Sequence, residues 1–100
     1  MHMTISELAE KVRPLAESYN IPKISVFGSF ARGEACEDSD IDLIVEHQNN
    51  PKLSGWYFFG LEQELTQALN KKVDLITYKH LERSWLKPYV IKDEVVIYEQ

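Results

Sequence analysis

Apolar residues recur at helical spacing near the start of the chain: Ile5, Leu8, Val12, Leu15, Ala16 and Tyr19 form one stripe. Thr4-Ile5-Ser6-Glu7 reads as a capping box, with Thr4 as N-cap and Glu7 reaching back to it. Pro14 interrupts the stripe. It removes one i→i−4 hydrogen bond and predicts a kink or a restart near Arg13. Asn20 and Pro22 end the helix, whose expected job is to cover one face of a sheet. The period then changes to two. Lys23 to Gly28 reads as a first strand, with Ile24 and Val26 on one side and Ser25 and Phe27 on the other. Ser29 to Gly33 begins a short helical turn, Glu34 to Ser39 is an acidic loop, and a second strand runs from about Asp40 to Glu46. His47 to Leu53, with Asn49-Asn50-Pro51, reads as loop.

A second long helix starts at Ser54 or Gly55 and reaches about Asn70, with Leu61, Leu65, Ala68 and Leu69 as its core stripe. Trp56, Tyr57, Phe58 and Phe59 are consecutive and cover most of a helix circumference, so at least one must leave the core. Lys71-Lys72 closes this helix at its negative end. Val73 to Tyr78 is a third strand, with Val73 and Leu75 on one face and Asp74 and Ile76 on the other. His80 to Pro88 is a short helix or irregular segment, Asp93-Glu94 a turn, and Val95 to Tyr98 a last strand. The expected class is α/β (α+β): a small mixed sheet with helices packed on it, residues 1–100 forming one domain.

The chemistry concentrates between Val26 and Val45. Side chains two apart on a strand share a face, so Asp40 and Asp42 project side by side while Ile41 and Leu43 enter a core. Two close carboxylates raise each other's pKa unless a cation lies between them. Hard divalent cations such as Mg2+ take such oxygen ligands and usually arrive with substrate phosphates. Gly28-Ser29, at a strand end, offers backbone N–H groups and a hydroxyl to a phosphate. Asp74 adds a charged residue inside an apolar strand. Gly28 and Gly33 have the GxxxxG spacing of a Walker A loop, but Glu34 stands where Lys is required.

Gly28-Ser29, ten residues, then Asp40-x-Asp42 resembles the GS-x10-DxD motif of the DNA polymerase β-like nucleotidyltransferases. With Phe30-Ala31-Arg32-Gly33 and Ser39-Asp40-Ile41-Asp42-Leu43, it is similar to the minimal nucleotidyltransferases (MNT) that are antitoxins to HEPN-domain toxins. The resemblance implies a polymerase β palm-like fold, Mg2+ on Asp40, Asp42 and Asp74, a second metal position completed by Asp74, and ATP as substrate. It implies that Asp74 helps deprotonate the acceptor hydroxyl. It puts Gly28, Ser29, Arg32 and Ser39 in the nucleotide-binding set. Arg32 is open between pairing with triphosphate and bracing the carboxylates or Glu34. Ser39 is expected first to hydrogen-bond within the turn before the second strand. The implied activity is AMP transfer to a tyrosine of a HEPN toxin RNase, neutralising it. Neutralisation by binding alone and small-molecule transfer of the aminoglycoside kind are the alternatives. A partner is expected to complete the site, because larger relatives carry an extra helical domain. The surplus of aromatics near Trp56 to Phe59, and Trp85 with Tyr89, are candidates for that docking.

Charge narrows the picture further. A net charge of −5 argues against a general nucleic-acid binder, and a tRNA-modifying role ranks low. Cys36 is the only cysteine and reads as an incidental thiol. His2, His47 and His80 are too scattered for a zinc site. No apolar run approaches membrane-spanning length and no signal-peptide stretch is evident, so a cytoplasmic protein is expected. A homo-oligomer is compatible with the sequence.

Overall fold

The computed structural model describes residues 3–33, 39–46, 56–85 and 87–100. The readings that fall on the acidic loop, on Cys36, on 47–55 and on His2 and His47 lie outside these residues.

Helix α1 (Ile5–Tyr19) starts at the expected capping box: Thr4 Oγ1 accepts the Glu7 N–H at 3.0 Å, and the Glu7 carboxylate accepts from the Thr4 N–H. It ends where Asn20 turns left-handed at φ 61°. Of the kink or restart expected near Arg13, the restart does not occur: the helix continues through Pro14 as one element. Leu8, Val12 and Ala16 are fully buried on either side of the proline, and this packed stripe holds the helix where local propensity would break it.

Strands β1 (Lys23–Phe27), β2 (Ile41–Glu46), β3 (Val73–Thr77) and β4 (Val95–Glu99) form one sheet in the order β3-β2-β1-β4. β1 is antiparallel to β2 and to β4, and β2 is parallel to β3. The mixed α/β architecture is therefore as expected. Helix α3 (Trp56–Leu69) covers the same face as α1: Leu61, Leu65 and Leu69 join Leu8, Val12, Ile24, Val26, Ile41, Leu43, Val73 and Leu75 in the main core. Alternation along the strands sends Phe27, Ile44 and Ile76 to the other face. There they meet Tyr78 and Leu81 of α4 (Tyr78–Leu81) and Val90 of α5 (Lys87–Asp93) in a smaller cluster.

Helix α5 was not anticipated from the pattern. Val90 is its one buried residue, so no stripe marks it, and Pro88 sits in its first turn, where a missing N–H costs nothing. Of the four consecutive aromatics, Phe58 packs on the core while Trp56, Tyr57 and Phe59 are exposed, which agrees with the crowding argument. No helix among the described residues is long and apolar enough to cross a membrane.

Candidate active site

The second face carries the acidic residues at one end of the strands. β1 runs toward that end and β2 away from it, so Phe27 pairs with Asp42, and Gly28 follows as the chain turns into α2 (Gly28–Ala31). The parallel pairing puts Asp42 directly across from Asp74. One row across three strands therefore reads Phe27, Asp42, Asp74. Asp40 lies just ahead of β2, where the Ile41 N–H donates to the Lys72 carbonyl at 2.9 Å.

Gly28 is required by both backbone and space. Its φ of +72° is left-handed, and a Cβ placed there would stand 2.5 Å from Asp42 Oδ2. The Asp42 carboxylate thus lies directly against the Gly28 backbone. Burial, then the neighbouring Asp74 and then Asp40, push the Asp42 carboxyl up to about 6, against a downward pull from Arg32. Asp74 and Asp40 thus both bear on the Asp42 carboxyl. Asp74 is exposed at the edge of the row.

The three carboxylates do not stand as a closed cage. Among the described residues no group of three His, Cys, Asp or Glu is arranged to hold a metal ion. Asp40 Oδ2 instead lies 3.9 Å from Lys72 Nζ. The donor set nonetheless suits a hard cation, since a half-buried carboxylate with two like-charged neighbours is relieved by positive charge placed among them.

Arg32 joins two elements and bears on the acidic row. Its guanidinium donates to Asp93 Oδ2 at 2.8 Å, tying α2 to the end of α5, while its charge still acts on Asp42. Asp93 was read only as a turn residue, and its signal in sequence is too ordinary to single out. Ser29 is the second residue of α2, partly covered. At Ser39 the carbonyl accepts from Lys71 Nζ at 3.3 Å. Lys71 and Lys72 fall beyond the end of α3 and reach the entry to β2, a long-range contact that the sequence showed only as a charged helix end.

A polar bridge crosses the same face. The Tyr78 hydroxyl lies 2.8 Å from the oxygen of fully buried Ser25 and donates to Glu94, and Lys23 Nζ stands 5.1 Å above the Tyr78 ring. It joins β1, α4 and the start of β4 across the sheet, behind the carboxylate row.

Residues 10–100 match the family model described as polymerase beta, nucleotidyltransferase. A Methanocaldococcus jannaschii protein provisionally named a protein adenylyltransferase is 37% identical over 98 residues, covering 94% of this chain and 98% of its own length. Protein adenylyltransferase MntA of Thermococcus cleftensis is 36% identical over 92 residues, covering 92% of this chain and 90% of its own. A solved structure provisionally described as a minimal nucleotidyltransferase superposes with a TM-score of 0.70 at 31% identity, over 94% of this chain and 96% of that one. A chain from the complex of a tri-AMPylated Shewanella oneidensis HEPN toxin with an MNT antitoxin shares the fold, with a TM-score of 0.69 at 20% identity over 97% of this chain and 74% of that one. Matched along nearly all of its length, on a sheet that brings the glycine–serine bend against the first strand's acidic neighbour, this chain belongs to the polymerase beta nucleotidyltransferase family.

Proposed function

We propose that this chain is an ATP-dependent protein adenylyltransferase that modifies a tyrosine hydroxyl of a HEPN-type toxin and thereby neutralises it. The observation that carries this reading is the acidic row: Asp42 and Asp74 in register, with Gly28 packed on the Asp42 carboxylate. The names of the relatives point to AMP transfer onto protein, and a structural neighbour is a complex of MNT antitoxin with AMPylated HEPN toxin.

In the proposed reaction the acceptor oxygen attacks the α-phosphorus of ATP. The new O–P bond forms as the α–β bridging bond breaks, and pyrophosphate leaves. Gly28 leaves room for phosphate oxygens beside Asp42, and Ser29 offers its hydroxyl and N–H to the β/γ-phosphates. Asp74, exposed at the open side of the row, takes the acceptor proton. Asp40, Asp42 and Asp74 are the residues that would hold Mg2+, which supplies charge stabilisation to the phosphate oxygens when bound. Asp42, its carboxyl pushed up by burial and by Asp74, gains from positive charge placed beside it. Arg32, anchored on Asp93, keeps α2 and its bend in position.

Incubation with ATP, Mg2+ and a purified HEPN-type partner protein, followed by intact mass measurement, tests this. The expected result is a gain of one or more AMP masses on the partner, abolished by Asp40→Ala with Asp42→Ala. An unchanged partner mass would refute it. Full neutralisation by the double variant would instead favour inhibition by binding alone.

A further inference from the structure

Exposed aromatic side chains gather in two places among the described residues: Trp56, Tyr57 and Phe59 on the first turns of α3, and Trp85 with Tyr89 at α5. The topology separates them. The end of α3 leads within three residues into β3 at the carboxylate end, and its buried stripe lies along the main core. Its first turn is therefore about 20 Å away, on the face opposite Asp42. Helix α5 lies on the carboxylate face itself: Val90 packs with Ile44 and Leu81, and Asp93 reaches Arg32 beside the site.

Trp85 and Tyr89 form an edge-to-face pair, centroids 6.4 Å apart at 77°, and are 78% and 64% exposed. Two residues before Trp85, Arg83 joins Thr77, Lys79 and His80 around a cavity of about 250 Å3. Residues 78–92 carry four Lys/Arg and a single Glu, in a chain whose net charge is −5. Among the described residues the cavity lining holds no carboxylate, so its chemistry calls for a negatively charged group.

We propose that this α4–α5 flank docks the acceptor protein, which presents an acidic segment to Lys79, His80 and Arg83 and packs against Trp85 and Tyr89. The inference rests on the protein-acceptor reading above. A protein fits better than a nucleic acid. Exposed Trp, Tyr and Arg are the residues that anchor protein interfaces. A phosphate backbone lying along this face would meet Asp40, Asp42 and Asp74 at one end and gain counterion release from only a few cations. Docking along α5 leads an acceptor side chain toward the acidic row, whereas the α3 aromatics are on the wrong face to do so.

The test compares wild type with K79E/R83E, with W85A, and with the distal control W56A, all at exposed positions. Steady-state AMP transfer is measured against the concentration of the purified HEPN-type protein, and binding of a short fluorescent single-stranded RNA is measured in parallel. The expected result is a KM for the acceptor raised about tenfold or more in K79E/R83E and in W85A, with kcat held within about twofold, and W56A unchanged. Unchanged KM in the flank variants, or a larger rise in W56A, overturns the proposal. So does RNA binding that the flank variants abolish while acceptor KM stays constant. If wild type transfers no AMP, the proposed activity fails, and docking is read from the Kd of the two proteins. A Kd weakened by K79E/R83E then supports the surface, and an unchanged Kd or no complex overturns it.

Discussion

Replacing Asp42 by Asn should stabilise the protein, and only at higher pH. The Asp42 carboxyl titrates near 6 in the folded chain and at 3.8 in its ordinary state, so folding raises it. Between those values the folded state holds more protons than the unfolded one, and stability falls as pH rises. The penalty is absent below about pH 3.8 and complete above about pH 6. Two units at about 1.4 kcal/mol each would give roughly 3 kcal/mol. Asp42 is only half-buried, so solvent screening reduces this to about 1–2 kcal/mol. Asn mimics the neutral acid and escapes the penalty. Thermal melts in EDTA should therefore place Asp42→Asn about 5–10 °C above wild type at pH 8. The gap should close by pH 4. Comparing the two proteins at each pH cancels the other titrating groups. Added Mg2+ should then raise wild type more than the variant at pH 8, since an ion bound only by the folded state stabilises it. A gap independent of pH, or a variant less stable than wild type at pH 8, would refute the account of Asp42 as a carboxylate strained by burial and by Asp74.

Three further outcomes follow from neighbouring contacts. Gly28→Ala should abolish AMP transfer and lower the melting temperature more than Gly33→Ala: both glycines are left-handed, at φ +72° and +73°, but only Gly28 has Asp42 in the way. Arg32→Met should cost about 0.5–1 kcal/mol through loss of the partly exposed Asp93 pair, and should move the acidic limb of the kcat/KM–pH profile upward, because a charge holding Asp42 down is gone. Tyr78→Phe should cost about 1–3 kcal/mol in urea unfolding by leaving buried Ser25 without that partner, and Ser25→Ala combined with it should cost less than the two single changes together.

Local chemistry was legible and long-range pairing was not. Thr4 and Glu7 declare the start of α1, and alternation alone puts Asp74 on the face opposite Val73 and Leu75, because both signals act within a few residues. At Pro14 the helix does not restart for the complementary reason: the residues that hold α1 together are supplied by the rest of the core. Helix α5 buries one side chain, too few for any period to show, yet it brings Asp93 to Arg32. Lys71 and Lys72 look like the end of a helix, and their contacts with Ser39 and Asp40 depend on where β2 happens to begin.

The register that forms the acidic row is enforced by the core and not by the carboxylates, which repel one another. Val73 and Leu75 enter the main core only when Asp74 points the other way, and Ile41 and Leu43 impose the same choice on Asp42. A slip of one residue in β3 would carry Asp74 into contact with α1 and α3 and turn Val73 and Leu75 outward. An isolated carboxylate buried there would cost several kcal/mol on top of the lost apolar burial. The repulsion between Asp42 and Asp74 is only part of the Asp42 penalty, whose whole is about 1–2 kcal/mol after screening, and so is smaller than either. Packing on the far face of the sheet can therefore hold two acids side by side on the near face, and the strain they keep is available to whatever positive charge comes to bind between them.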